Sequence, residues 1–360
     1  MSDHERATAV ELARAALPEY GLPADTPLTL LKQRENVVFA LTARGTDYVL
    51  RVHRRGYHSD AELACELDFV RALASEGVAV PHFVPARDGR GFCVVGADHP
   101  AGPHQVDLQH RIENSGNFGD ERTAVAGTAE LAPSDFRELG RLAAEVHAAS
   151  VNSGYTMAVP RDDWDLDGLV GDAPAWGDPL RLAELADDDR DTVARAIARI
   201  REVLAAYGAP AHRFGPIHAD LTPENVLRTP AGLVLIDFDD FAAGWHLFDL
   251  ATAIYFFTPH PRASEYRAEL FAGYESVRPL DPADHAAFPA MLLARGLTYL
   301  GWAADRRGEP TAEWHAAEVL PHVVRLAREL LAADAAPGHV APAPASPTTS
   351  TRHTPPTELS

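Results

Sequence analysis

Apolar and polar positions along this chain follow two periods, and where each period holds predicts the elements. Ala9, Leu12, Ala13 and Ala16 recur at helical spacing within residues 5–17, and the pattern stops before Pro18. Three strand-like runs come next, at Leu28–Leu31, Val37–Thr42 and Tyr48–His53. The turn Ala43-Arg44-Gly45-Thr46 folds the last two into an antiparallel hairpin. Leu63, Leu67, Val70 and Leu73 mark a helix from about Asp60 to Ser75, closed by Gly77, and Phe92–Ala97 reads as one more strand. Strands, a single helix and further strands predict a small α+β lobe over residues 1–97.

Residues 98–133 lack a period and contain Asp-His-Pro-Ala-Gly-Pro and Asn-Ser-Gly-Asn-Phe-Gly, which predicts a linker and an irregular insertion. Helical spacing resumes from Ser134 to Ala149 and again from Asp187 to Tyr207, with a loop-like stretch over 155–180 between them. Four more helices are expected, at Leu247–Phe257, Tyr266–Tyr274, Ala286–Arg306 and Ala312–Ala333. The second lobe, 98–334, is therefore mostly helical. The Pro-, Thr-, Ala- and Ser-rich segment 335–360 cannot bury a core and is expected to be disordered.

Composition narrows the class. The chain has 360 residues, 46% of them hydrophobic, enough for a sizeable core in two lobes. A net charge of −20 argues against a nucleic-acid or anionic-membrane partner and is compatible with a cationic small molecule or with simple solubility. Cys65 and Cys93 are the only cysteines, so neither a disulfide frame nor a zinc pattern is expected. The first residues lack a signal sequence and no apolar run approaches a membrane span, so a cytoplasmic location is expected; oligomeric state is not legible. Lys32 is the single lysine among 32 basic residues.

The candidate chemistry lies between Ile217 and Leu250. Apolar fragments there deliver His218, Asp220 and Asn225 into one loop, and Asp237, Asp239 and Asp240 into another. Transfer of a γ-phosphoryl group needs a magnesium ion, cations for the phosphate oxygens, and an acceptor for the attacking hydroxyl's proton. Asp237 follows the buried-type strand Leu233–Ile236 and offers a carboxylate to the metal; Asn225 adds a neutral carbonyl oxygen. Asp220 remains to orient the hydroxyl and take its proton.

His218-Ala219-Asp220, Asn225 and Asp237 resemble the catalytic and metal loops of the aminoglycoside phosphotransferase and choline kinase-like family. The resemblance covers roughly residues 25–330 and implies a bilobal, protein-kinase-like fold using ATP and Mg²⁺. It implies that Asp220 is the catalytic base, that Asn225 and Asp237 bind magnesium, and that His218 and Asp249 brace the loops. Asp239 and Asp240 are candidates for metal or substrate contact, or form a solvated acidic turn. In the small lobe, Arg34-Glu35-Asn36 falls where the family's phosphate loop lies, which nominates Arg34 and Asn36. Val49 and Arg51 share one strand face, and Arg51 stands where kinases carry their phosphate-binding lysine. Lys32 precedes the loop and is not expected to take that place; Glu66, with Glu62 as rival, is expected to pair with Arg51. The adenine is expected against the backbone near Ala97–His99, which nominates Asp98 and His99.

The expected reaction is phosphorylation of a hydroxyl on a small, amine-bearing molecule: an aminoglycoside-like antibiotic, an amino alcohol or a hydroxy amino acid. The acids Asp162, Asp163, Asp165 and Asp167 around Trp164 either face an ammonium group or form a solvated loop. Two alternatives stand beside this. A protein Ser/Thr kinase of the stress-response type is opposed by the ten positions between Asp239 and Asp249, too few for a peptide-binding segment, and by Thr222 where such kinases carry lysine. A nucleotide-binding pseudokinase is suggested by Arg51 and opposed by the intact Asp220, Asn225 and Asp237.

Overall fold

The computed structural model describes residues 3–33, 36–157, 161 and 163–335. The small lobe opens with α1 (Asp3–Ala16) and holds β1 (Thr29–Gln33), β2 (Val37–Ala43), β3 (Thr46–Val52), α2 (Asp60–Ser75), β4 (Phe92–Val95) and β5 (His104–His110). The strands form one antiparallel sheet in the order β1-β2-β3-β5-β4. Strand alternation sends Phe39, Leu41, Leu50, Val52, Val106 and Leu108 to one face, where they pack on Leu12, Ala13 and Ala16 of α1. Val38, Val49 and Arg51 point to the other face and line the interlobe cleft.

β5 lies inside the segment expected to be irregular, and the sheet continues to His110, past the expected lobe edge at residue 97. The polar residues His104, Gln105, Asp107 and Gln109 break the apolar run there. Pairing with both β3 and β4 supplies the hydrogen bonds that local sequence does not advertise.

The large lobe contains α3 (Glu121–Val125), α4 (Pro133–Asn152), α5 (Leu166–Val170), α6 (Asp187–Tyr207), β6 (Phe214–Ile217), β7 (Val226–Thr229), β8 (Gly232–Leu235), β9 (Ala242–Trp245), α7 (His246–Tyr255), α8 (Ala263–Glu275), α9 (Pro282–Asp305), α10 (Pro310–Trp314) and α11 (Leu320–Ala335), with a π-helical turn at His315–Val319 joining the last two. Its strands form two small antiparallel pairs, β6 with β9 and β7 with β8. These pairs carry at their ends the two loops that hold Asp220 with Asn225 and Asp237 with Asp239. Helices α4 and α8 approach unusually closely: a Cβ on Gly140 would lie 1.9 Å from the Leu270 carbonyl oxygen, and one on Gly273 would lie 1.9 Å from that of Arg137. Glycines at both crossing points let the backbones touch.

Small antiparallel lobe and helical lobe together form the bilobal, kinase-like architecture expected from the sequence. Cys65 and Cys93 are both buried and unbridged. No described helix is long and apolar enough to cross a membrane. The tail from residue 336 onward lies outside the described residues.

Candidate active site

A cleft of about 1210 Å³ runs between the lobes, and Asp220, Asn225, Asp237, Asp239, Asp240 and Arg51 all line it. Asp220 and Asn225 share the loop from β6 to β7, with Asn225 on a 3₁₀ turn started by Pro223. The Asn225 amide nitrogen donates to the Asp220 carbonyl oxygen at 2.9 Å and to its Oδ2 at 2.8 Å. Both donors of that nitrogen are thereby used, so a cation would meet the amide's carbonyl oxygen. Asp237 follows β8 with φ of +67°, and Ala219 precedes Asp220 with φ of +66°. Left-handed backbone is unfavourable for residues bearing a Cβ, so tertiary contacts must hold both loops.

Those contacts are visible. Asp249 on α7 accepts from the backbone N–H groups of His218 (3.0 Å) and Ala219 (2.8 Å). Its Oδ2 also meets His147 Nε2 at 3.0 Å, and His147 Nδ1 meets the Tyr274 hydroxyl at 3.0 Å. Burial pushes the Asp249 carboxyl up to about 6 and holds His147 well below its usual range. His218 is fully buried. Its Nε2 lies 3.0 Å from the Ile236 carbonyl oxygen and its Nδ1 3.2 Å from the Asp220 N–H. A carbonyl only accepts and an amide N–H only donates, so the ring is neutral with its proton on Nε2. Burial lowers its pKa in the same sense. His218 thus ties the Asp220 loop to the Asp237 loop.

Arg51 is nearly buried and carries more partners than its β-strand position announced. Its Nη2 donates to Glu66 Oε1 at 3.1 Å and its Nε donates to Asp107 Oδ2 at 2.8 Å. Nη1 lies 3.6 Å from Asp239 Oδ1 and 3.9 Å from Asp237 Oδ1. Glu62 does not compete, because it closes the capping box of α2 with Ser59. Burial raises the Glu66 carboxyl to about 7 although Arg51 opposes the shift. Asp107 is Arg51's direct cross-strand neighbour in the β3–β5 register, and it also meets His53 Nε2 at 2.6 Å.

Lys32 was not expected to reach the phosphate region, yet its Nζ lies 3.8 Å from Asp237 Oδ2. The antiparallel β1–β2 pairing brings it there, with a register irregularity between Leu30 and Lys32. Asp237 is therefore flanked by two cations. Partial burial, and then Asp239, still raise its carboxyl above the usual range. A carboxylate set against a second carboxylate and facing an open cleft suits a divalent cation, which relieves the repulsion. Asn225 completes a donor set of the kind Mg²⁺ takes with phosphates and water.

Asp239 accepts from Asn36 Nδ2 at 2.5 Å, which ties the second loop to the small lobe. Burial acts to raise its carboxyl, but Arg51, His53 and His58 hold it below its ordinary value. Burial and Asp220 push Asp240 well above the carboxylate range; its Oδ1 lies 3.4 Å from the Tyr57 hydroxyl. Arg34 lies outside the described residues, as does Asp162. Asp98 and His99 sit on the turn between β4 and β5 and do not line the cleft; His99 meets Glu11 at 3.1 Å. Gln109–Ile112 and Asn114 line the cleft where the chain leaves β5 for the large lobe. Asp165 caps α5 through the Asp167 and Gly168 N–H groups, and none of Asp163, Asp165 and Asp167 lines the cleft.

Sequence reading missed Asp107 and Arg295. Arg295 on α9 is fully buried, and its Nη2 donates to Asp220 Oδ1 at 2.5 Å. Each left a local signal: a charged residue between buried apolar neighbours, Val106-Asp107-Leu108 in one case and Leu293-Ala294-Arg295 in the other.

Comparison with known proteins identifies the family. The family model described as the phosphotransferase enzyme family matches residues 28–288. An uncharacterized protein of Deinococcus radiodurans is 32% identical over 305 residues, covering 83% of this chain and 82% of that one. Homoserine kinase of Methylobacterium radiotolerans is 34% identical over 273 residues, covering 74% and 76%. Among solved structures, a microcompartment-associated aminopropanol kinase superposes with a TM-score of 0.77 at 32% identity, covering 90% of this chain and 98% of that one. An amicoumacin kinase in complex with AMP-PNP superposes at 0.65 with 19% identity, covering 90% and 94%, a likeness of fold. The chain belongs to the phosphotransferase enzyme family, within the protein-kinase-like superfamily.

Proposed function

We propose that this protein transfers the γ-phosphoryl group of ATP to a hydroxyl of a small, amine-bearing molecule. The observation that carries the reading is the convergence of Asp220, Asn225, Asp237 and Arg51 on one cleft from three separate segments, the β6–β7 loop, the loop after β8 and strand β3. Asp220 accepts the hydroxyl's proton as its oxygen bonds to the γ-phosphorus; the bond to the bridging oxygen breaks and ADP leaves with that electron pair. Arg51 and Lys32 place positive charge beside the phosphates. Asn225 and Asp237 would hold Mg²⁺, which supplies further charge neutralisation when bound.

The acceptor end of the cleft supports an amine. Trp176, Tyr299 and Trp302 line it together with Glu121, Asp240 and Glu309. Aromatic faces and carboxylates suit an ammonium group. The aminopropanol and homoserine kinases similar to this chain are named for molecules that bear both an amine and a hydroxyl. A protein acceptor is disfavoured because β9 and the start of α7 fill the interval from Asp239 to Asp249.

The test is ADP release with ATP and Mg²⁺ against a panel of amino alcohols, hydroxy amino acids and aminoglycosides. One class should accelerate ADP release, and Asp220→Asn should lower kcat by about 10²–10⁴-fold. Acceptor-stimulated turnover that survives Asp220→Asn unchanged would refute the assigned base.

A further inference from the structure

Arg295 lies midway along α9, in the apolar run Met291–Leu300, with no exposed surface. Its Nη2 donates to Asp220 Oδ1 at 2.5 Å and to the Tyr299 hydroxyl at 2.8 Å. The guanidinium lies over the rings of Tyr299 (4.2 Å), Trp176 (4.8 Å) and Phe248 (5.5 Å). Nε and Nη1 have no hydrogen-bond partner. Asp220 is the one carboxylate in ion-pair contact with it among the described residues. Burying a guanidinium with unmet donors is unfavourable, and an apolar side chain would pack the helix better. The residue must therefore act through the one charged group it touches.

What that group faces defines the problem. An ammonium-bearing acceptor enters a cleft lined by Asp220, Asp237, Asp239, Asp240, Glu121 and Glu309. Nothing in a bare carboxylate distinguishes the acceptor's hydroxyl from its ammonium, and the ammonium is the stronger attractor because it carries a full positive charge into a site of low effective dielectric. Seated on Asp220, the cation would displace the hydroxyl from the proton acceptor. The Arg295 guanidinium, reaching Asp220 from behind, cancels that attraction and repels a second cation. It leaves carboxylate lone pairs for a neutral O–H donor, since Arg295 and Asn225 each occupy one site on different oxygens.

We propose that Arg295 is a positioning and specificity residue that neutralises Asp220 toward the acceptor's ammonium, so that the hydroxyl occupies the carboxylate. This rests on the amine-bearing acceptor proposed above. The probe is propylamine, an ammonium without a hydroxyl, tested as a competitive inhibitor of the amino-alcohol acceptor. Arg295→Gln should strengthen propylamine inhibition on the order of tenfold, because like-charge exclusion is lost. It should lower kcat for the amino alcohol while lowering, not raising, its KM. Arg295→Lys should restore both, and Arg295→Gln with Asp220→Asn should abolish the added propylamine affinity. Arg295→Met, which removes the charge and keeps an apolar stem against Tyr299 and Trp176, should move inhibition in the same direction. Propylamine inhibition unchanged in Arg295→Gln, or in Arg295→Met where the glutamine variant does not fold, overturns the proposal. So does a fall in kcat with KM and inhibition unmoved, which marks a structural role alone. Wild-type enzyme that turns over only hydroxyl acceptors lacking an amine refutes the substrate reading first, and the present inference falls with it.

Discussion

Replacing Asp107 with Asn tests whether the buried cluster around Arg51 holds in place the cation proposed to bind phosphate. Asp107 is fully buried, and its Oδ2 takes both the Arg51 Nε at 2.8 Å and His53 Nε2 at 2.6 Å. Its Oδ1 has no partner, so all its work passes through one oxygen. Breaking a buried pair by removing one charge costs about 3–5 kcal/mol. Asparagine keeps a carbonyl oxygen that accepts at roughly half the strength of a charge-assisted bond. Arg51 also keeps Glu66 at 3.1 Å. The expected loss is therefore at the low end, ~2–3 kcal/mol, or a fall in Tm of roughly 2 °C per kcal/mol in a chain of this size class. The same change frees the guanidinium to swing, and a ~10-fold rise in KM for ATP corresponds to ~1.4 kcal/mol of lost positioning. Thermal melting and ATP-dependent initial rates measure the two effects. An unshifted melting point together with an unchanged KM for ATP would show that Asp107 does not position Arg51.

Other outcomes follow from the same structure. Burial raises the Glu66 carboxyl to about 7 in the folded chain, so its contribution to stability is full below its unfolded value, near 4.5, and is lost as pH rises through about 7. Glu66→Gln should therefore gain stability relative to wild type between those limits; urea melts at pH 5 and pH 8 showing a constant difference would contradict this. Gly140→Ala forces a Cβ to 1.9 Å from the Leu270 carbonyl and should destabilise by ~3 kcal/mol or more through separation of α4 and α8; a wild-type melting curve would show that the helices do not approach so closely. Ala219→Gly relieves a left-handed residue at ~1–2 kcal/mol against ~0.5–1 kcal/mol of added chain entropy. It should be neutral to slightly stabilising with kcat retained, and a clear loss of stability would show that the loop is not strained.

The chain's order of elements was open to a reading of pattern alone. Leu63, Leu67, Val70 and Leu73 repeat at helical spacing because one side of α2 is buried. That Asp220, Asn225 and Asp237 stand out as candidates has a related reason. Asp220, Asn225 and Asp237 are hydrophilic residues set between apolar strands at short spacings, and the chemistry restricts which residue types serve. Tertiary structure alone decided who meets whom across long separations. Asp107 reaches Arg51 through cross-strand register, which depends on pairing between strands far apart in the chain. Lys32 reaches Asp237, and Arg295 reaches Asp220, by the same logic of packing. A buried ion pair is specified by the geometry of two surfaces, and each partner's local sequence carries only half of it. The cleft lining shows the same division: Gln109–Ile112 and Asn114 line it and Asp98 and His99 do not, because the pairing of β5 with both β3 and β4 carries the chain past residue 97 before it enters the large lobe.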